Sequence, residues 1–286
     1  MTSIVSVREA EFRGTVLLGA TGRLGRMLRS FWPDGNLVAV GRTAGTGIER
    51  CDILQDKAVL QGLLAGHRAV VCLAGITDAA ARRGAPMSHN SDLAMAAIHA
   101  AKAAGAGRVF LASSAAVYGR QSGLLTEDST LAPLAEYGRA KCEMEQAGLA
   151  LGAQIGQAVT VLRIGNVAGA DAILGGWHEG MRIDQLPDGS TPARSYIGPQ
   201  ALARVIAGLA TKAKLPSVLN VAGPGVVEMG ALLDAAGLPW APRPAPDGVI
   251  RKVALSTQEL ARYVPLTDTT AQGLVAEWLR YREMAG

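Results

Sequence analysis

The sequence predicts an α/β protein, a doubly wound parallel sheet with a smaller C-terminal lobe. Short, nearly continuous apolar runs alternate with helix-patterned segments through residue 167, the pattern of a sheet covered on both faces. The composition, with 35 Gly and only 4% aromatic residues, suits close helix-on-sheet packing and ligand sites lined by backbone. At 286 residues and 49% hydrophobic content, the chain can bury a substantial core.

GTVLLGA (14–20) is the first buried-type strand, and GRLGRMLRSF (22–31) follows with Leu24, Leu28 and Phe31 at helical spacing before WPDG breaks it. NLVAVGR (36–42) reads as the second strand, DKAVLQGLLAG as a helix and AVVCLAG (69–75) as the third strand. An Ala-rich helix over about 89–104, the strand RVFLASS (108–114), a helix from about Tyr137 and the strand AVTVLRIGNV (158–167) continue the alternation, with right-handed crossovers. Residues 1–167 are therefore expected to form the sheet domain. Residues 168–286, where Gly, Pro and polar residues interrupt the pattern, are expected to form mostly the lobe, with the strand SVLNVAG (217–223) returning to the sheet. PWAPRPAPDG (239–248) reads as an extended connector, Ser256 and Glu259 stand at capping-box spacing, and TDTTAQGLVAEWLRYRE reads as a final amphipathic helix.

The formal charge of +4 is carried by Arg and Lys scattered along the chain, without runs or interleaved aromatics, so a nucleic-acid partner is not expected. Cys51, Cys72 and Cys142 form no CxxC pair and do not cluster with His67, His89, His99 or His178, so neither a metal site nor a disulfide framework is expected. MTSIVSVREAEFRG lacks an apolar core of signal-peptide length and no membrane-spanning segment is evident, which makes the cytoplasm the expected location.

In such sheets ligands sit beyond the C-terminal strand ends. Gly19, Gly22 and Gly25 form a GxxGxxG pattern between the first strand and first helix. There backbone can approach a pyrophosphate and the helix N-terminus can donate N–H groups to it, which makes the sheet domain a Rossmann-type dinucleotide-binding domain. The second strand ends in VGRT, without the acid that would select an unphosphorylated ribose. Arg42, aided by Thr43, could meet a 2′-phosphate with its charged fork, favouring NADP(H) over NAD(H), or could be a surface arginine. Asp52 could accept from an adenine amino group or neighbour a helix N-cap.

Tyr137 and Lys141, in YGRAK, lie at i and i+4 on one helical face. A phenol is a poor base at neutral pH, and a neighbouring ammonium is expected to lower its pKa. Tyr137 could then exchange a proton with a carbonyl or alcohol, while Ser114 at the end of the fourth strand hydrogen-bonds the same oxygen.

Taken in order, GATGRLG, CLAG, HNSDLAMAAIHAA, SSAAVYG, YGRAK, LRIGNVAG, ARSYIGPQALARVI and LNVAG resemble the extended short-chain dehydrogenase/reductases of the NAD-dependent epimerase/dehydratase family over nearly the whole chain. The resemblance implies catalytic roles for Ser114, Tyr137 and Lys141. It implies cofactor contacts at Gly19, Thr21, Gly22, Arg23, Leu24, Gly25, Arg42, Asp52, Leu73, Ala74, Gly75, Asn90, Tyr137, Lys141 and Ile164, and substrate contacts at Asn166 and Arg194, the latter on a substrate diphosphate or in a structural role. Tyr118 and Ser113 are expected to support the site, and Trp177 and His178 could line it. The implied activity is hydride transfer at a carbonyl or secondary alcohol, of a sugar or sugar nucleotide, by an epimerase or a ketoreductase; family members often form homodimers. Two departures qualify this. Gly198-Pro199-Gln200 stands where many relatives carry an acidic pair, and the chain is shorter than typical nucleotide-sugar epimerases. Ala115-Ala116 stands where the family's dehydratases carry an acidic pair for eliminating water, which makes a dehydratase less expected. A second reading, a non-enzymatic NADP(H) sensor or scaffold, uses the same fold; such proteins tend to lose the Tyr/Lys pair, which this chain keeps.

Overall fold

Strand-forming apolar runs here bury both faces, because alternate residues of each run enter opposite cores. Leu17, Ala69, Val71, Phe110 and Leu162 belong to one cluster, while Val16, Leu18, Val70, Val109, Leu111 and Val161 belong to the other. The structure, a computed structural model, describes residues 13–33 and 35–285; most of the N-terminal stretch read against a signal peptide lies outside them. The first half runs β1 (Arg13–Leu18), α1 (Arg23–Phe31), β2 (Leu37–Gly41), β3 (Glu49–Arg50), α2 (Lys57–Leu64), β4 (His67–Cys72), α3 (Asp78–Ala81), α4 (His89–Ala103), β5 (Arg108–Ser114), β6 (Leu124–Leu125), α5 (Glu136–Ile155) and β7 (Ala158–Ile164). The second half runs β8 (Asn166–Val167), β9 (Arg182–Gln185), β10 (Ala193–Arg194), β11 (Tyr196–Ile197), α6 (Pro199–Ala210), β12 (Val218–Val221), β13 (Val227–Glu228), α7 (Met229–Ala235), β14 (Ala241–Pro244), β15 (Lys252–Leu255), α8 (Gln258–Ala261) and α9 (Ala271–Ala285).

The central sheet has seven strands in the order β12-β7-β5-β4-β1-β2-β3, all paired in parallel. Helices α1 and α6 pack on one face through Met27, Leu28, Leu202, Ala203 and Ile206. Helices α2, α4 and α5 cover the other through Leu60, Leu64, Ala97, Ile98 and Met144. A Cβ on Gly148 would stand 2.5 Å from Leu111 Cδ1, so α5 presses onto β5 as closely as a missing side chain allows. This contact fixes α5 against the end of β5, which is where the candidate chemistry gathers.

Beyond β7 there are more strands than the sequence suggests. β13, β10, β15 and β6 form a second sheet, and β8 pairs with β11. Most of these are two-residue ladders, too short for any alternation of side chains to register. The Pro-rich connector is itself a strand: β14 pairs in parallel with β9, and its prolines alternate with Ala241 and Arg243, so the missing N–H groups stay out of the ladder. The Ser256–Glu259 capping box does not form. Thr257 precedes α8 without a side-chain cap, and Glu259 accepts from Tyr263 instead. The final amphipathic helix is α9, which buries Leu274, Val275 and Trp278. No helix among the described residues is long and apolar enough to cross a membrane, and no group of His, Cys, Asp or Glu among them is arranged to hold a metal.

Candidate active site

The sheet order reverses beside β1, with β2 on one side and β4 on the other, so the C-terminal ends of β1 and β4 border a switch-point crevice. Gly19 follows β1 with φ +85°, and a Cβ there would stand 2.7 Å from the Ala74 nitrogen. The glycine loop and the Leu73–Ala74–Gly75 segment thus touch through backbone. The Gly22 N–H donates to the Gly19 carbonyl at 3.0 Å and Gly22 caps α1, whose N-terminus has neither a side-chain cap nor an acid in its first turn. Those free N–H groups and the close backbone fit the pyrophosphate of a dinucleotide. Arg23 donates to the Ala170 carbonyl at 2.7 Å, tying the loop to the chain beyond β8. Thr21 packs its methyl group beside Gly41, Gly25 packs on the Gly19 carbonyl, and Leu24 leans on the core. Replacing Gly19 with Ala is expected to weaken NADH binding roughly 10- to 100-fold, through strain in the loop; fluorescence titration with NADH measures it, and unchanged affinity would place the dinucleotide elsewhere.

Arg42 and Thr43 follow β2, exposed, and Arg42 has no side-chain partner among the described residues. Asp52 stands in the turn before Asp56, the N-cap of α2, and its Oδ1 accepts from the Leu54 N–H at 2.9 Å and the Gln55 N–H at 3.3 Å. Asn90, 1% exposed, accepts from the Ile76 N–H and donates to the Ile76 and Met87 carbonyls. Its amide is engaged with the loop after β4, which it holds in place under the crevice. Ile164 ends β7 and is buried.

Ser114 ends β5, and its oxygen accepts from the Ala116 N–H at 3.2 Å, opening a single 3₁₀ turn, while the same hydroxyl lies within hydrogen-bonding reach of Tyr137. From α5, Lys141 donates to the Ala112 carbonyl at 2.8 Å and lies 5.8 Å from the Tyr137 ring centroid. A Cβ on Gly75 would stand 3.2 Å from Lys141 Nζ and 2.6 Å from Asn90 Oδ1, so the loop, the lysine and the asparagine share one spot. Ser114, Tyr137 and Lys141 are thus brought together beside the crevice. The electrostatics differ from the expected lowering of the phenol's pKa. Burial pushes Tyr137 up to about 12, the negative charge of Asp78 adds to that, and hydrogen bonding to Ser114 opposes it. Burial also pushes Lys141 down to about 8, against the opposing pull of Cys72 and Glu145. Desolvation dominates because both groups sit against the sheet.

On the lobe side, Asn166 (β8) pairs with Tyr196 (β11), whose hydroxyl donates to Asp171 Oδ2 at 3.0 Å. Arg194 is partly buried, donates to its own residue's neighbour, the Ala193 carbonyl, at 2.8 Å, and faces no carboxylate among the described residues. Trp177 is spent on the lobe, donating to the Pro239 carbonyl, and His178 is exposed beside Glu179. Where Gly198-Pro199-Gln200 lacks the acidic pair, the acid arrives from α9. Glu277 accepts from the Gln200 and Ala201 N–H groups at 2.8 and 3.0 Å, capping α6 from a distant segment.

Behind the site lies a buried polar chain whose Glu145 and Arg163 are not among the expected site residues. Glu145, 2% exposed, accepts from the Ser113 hydroxyl and from Arg163, with the shortest Arg163 contact at 2.8 Å. Arg163 also donates to the Tyr118 hydroxyl at 3.1 Å and to the Glu127 carbonyl at 2.8 Å, and Tyr118 donates to Asn220 Oδ1 at 2.7 Å. The signal for Glu145 was available in outline, since it stands four residues after Lys141 on the same helical face.

These features define a dinucleotide-binding α/β protein with a Ser, Tyr and Lys set beside its crevice. The profile of the NAD dependent epimerase/dehydratase family matches residues 15–182, more than half of the chain, and the chain belongs to that family. A search of the curated proteins by sequence returns no match. Among solved structures, MoeE5 in complex with UDP-glucuronic acid and NAD is 23% identical over 96% of this chain and 100% of its own, with a TM-score of 0.75. The UDP-glucose-4-epimerase of Stenotrophomonas maltophila, with bound NAD and formylated UDP-arabinopyranose, is 19% identical over 96% and 99%, with a TM-score of 0.77. The NDP-hexosamine 5,6-dehydratase TunA is 17% identical over 95% and 98%, with a TM-score of 0.77. At these identities the likeness establishes the fold.

Proposed function

We propose that the protein is a nicotinamide-dinucleotide-dependent oxidoreductase of the epimerase or ketoreductase type, acting on a sugar nucleotide. The observation that carries this reading is the convergence of Ser114, Tyr137 and Lys141 beside a backbone cradle suited to a pyrophosphate. When bound, the dinucleotide supplies or accepts the hydride. Ser114 donates to the substrate oxygen, and Tyr137 delivers or removes the proton there. Tyr137 carries its proton at neutral pH, as any phenol does, and burial raises its pKa further, so it can donate only as negative charge develops on the substrate oxygen. Its work as a base depends on the Lys141 ammonium and on the positive charge of an oxidised nicotinamide. Arg194, partly buried without a carboxylate partner among the described residues, supports an anionic substrate portion such as a diphosphate. The solved neighbours described with UDP-sugars point to the same substrate class. Ala115 and Ala116 argue against elimination chemistry, since no acid stands there to expel water.

Arg42, exposed after β2 and without a side-chain partner among the described residues, supports a preference for NADP(H), which would suit a reductase that exchanges its cofactor. Arg42→Ala is expected to weaken NADPH binding about tenfold or more while NADH binding changes less than about threefold. Equal losses for both would remove the 2′-phosphate role. The cytoplasm is the compartment we infer, one in which three unpaired cysteines stay reduced. Mass spectrometry of nucleotide co-purifying with the protein, followed by a screen of UDP- and dTDP-sugars for conversion or cofactor turnover, tests the reading. A protein that binds neither nicotinamide dinucleotide overturns it.

A further inference from the structure

Tyr137, Lys141 and Glu145 follow one another at i, i+4 and i+8 on α5, so they stack on a single helical face about one turn apart. The first two reach the crevice, and the third is buried behind them. Glu145 accepts from Ser113 on β5 and, through both carboxylate oxygens, from Arg163 on β7, with Nε at 3.2 and 3.1 Å and the terminal nitrogen at 2.8 Å. Ser113 and Arg163 are direct cross-strand partners, and the next pair in the register is Ser114 with Ile164. The carboxylate therefore clamps α5 onto two adjacent strands one residue before both strand ends. Lys141 is tied to the same place by its bond to the Ala112 carbonyl at 2.8 Å.

We propose that Glu145 is a positioning residue for Lys141: anchored by Ser113 and Arg163, it holds the lysine's helical turn against β5 and presents a negative charge to the ammonium from one turn below. The chemistry of this proposal rests on the dinucleotide-dependent reading above, while its geometry does not. The groups that face the ammonium are few. Cys72 approaches from β4, Tyr137 and Glu145 belong to α5 itself, and the neutral Asn90 amide comes from α4 across Gly75. Burial alone would favour a neutral amine, and Lys141 is already pushed down to about 8, with Glu145 and Cys72 pulling the other way. Burial pushes the Cys72 thiol up to about 11, so it supplies no charge at neutral pH, and the Glu145 carboxylate, paired with the Arg163 guanidinium of β7, is the acidic group that α5 itself brings to the ammonium.

The test needs neither substrate nor cofactor, so it stands apart from the proposed activity. The full chain is labelled with [13Cε]lysine, which gives six signals from its six lysines, and Lys141 is assigned by the spectrum of Lys141→Arg. The wild-type Lys141 signal should titrate with a midpoint near 8. In Glu145→Gln the midpoint should fall by about 0.5–1.5 pH units, the size expected for losing one facing charge a helical turn away. An unchanged midpoint overturns the proposal. So does an upward shift toward the ordinary lysine value, which is what simple loosening and entry of water would produce. If Glu145→Gln does not fold because Arg163 is left buried without its partner, the double variant Glu145→Leu, Arg163→Leu removes both charges, a replacement that buried pairs commonly tolerate; with the repelling guanidinium gone as well, its midpoint should fall by less than in Glu145→Gln, and an unchanged or raised midpoint there also overturns the proposal.

Discussion

Tyr137→Phe is expected to lower turnover of the sugar nucleotide found in the screen by about 10²- to 10⁴-fold, while NADH or NADPH affinity changes less than about threefold. The substitution removes one hydroxyl and keeps the ring, so the packing of α5 against β5 is preserved. The proton that moves in the reaction has no other evident carrier at this point. Ser114 can hydrogen-bond the oxygen, but its hydroxyl has no adjacent base, and Lys141 is committed to the Ala112 carbonyl. Turnover is measured by conversion of the sugar nucleotide, and affinity by fluorescence titration. If turnover stays within a few fold of wild type, the assignment of Tyr137 as the acid and base is wrong, whatever the cofactor does.

The second large effect is on stability. Arg163→Met should cost about 3–5 kcal/mol, because it leaves the Glu145 carboxylate buried at 2% exposure without its cation and strips the Tyr118 hydroxyl of a donor. For a chain of this size that is a fall of on the order of 10 °C in Tm. The double variant Glu145→Leu, Arg163→Leu should recover most of the loss, since no unpaired charge remains. Urea unfolding of the three proteins at one pH measures both quantities. A double variant no more stable than Arg163→Met would mean that the pair is not a coupled unit.

The sheet domain was legible because its strands bury both faces and therefore appear as unbroken apolar runs, and because Gly19, Gly22 and Gly25 fall where a strand meets a helix. Tyr137 and Lys141 were legible because helical spacing alone puts them on one face. The edge strand β3 and the paired fragments of the lobe were not, since a two-residue ladder leaves no periodic trace. Glu277 as the cap of α6 was invisible for a different reason: a capping acid is sought within a few residues of the helix it serves, and this one arrives from another helix. Glu145 is the intermediate case. Its spacing from Lys141 can be read directly, but a glutamate on a helix ordinarily faces water, and only the arrival of Arg163 and Ser113 from the strands makes its burial tolerable. The expected easing of the Tyr137 proton does not appear, because desolvation and the charge of Asp78 outweigh the opposing hydrogen bond with Ser114.

The strand order carries a consequence for how the protein is made. β7 pairs with β5 on one side and with β12 on the other, and β12 is encoded about 50 residues further along the chain. At roughly 5–20 residues per second of synthesis, the apolar outer edge of β7 waits for several seconds without its partner. An open, apolar edge of this kind is a template for pairing with another chain. On a polysome, where identical nascent chains lie close together, that interval is the time at which this protein is most exposed to misassembly, and it ends when Val218–Val221 closes the sheet.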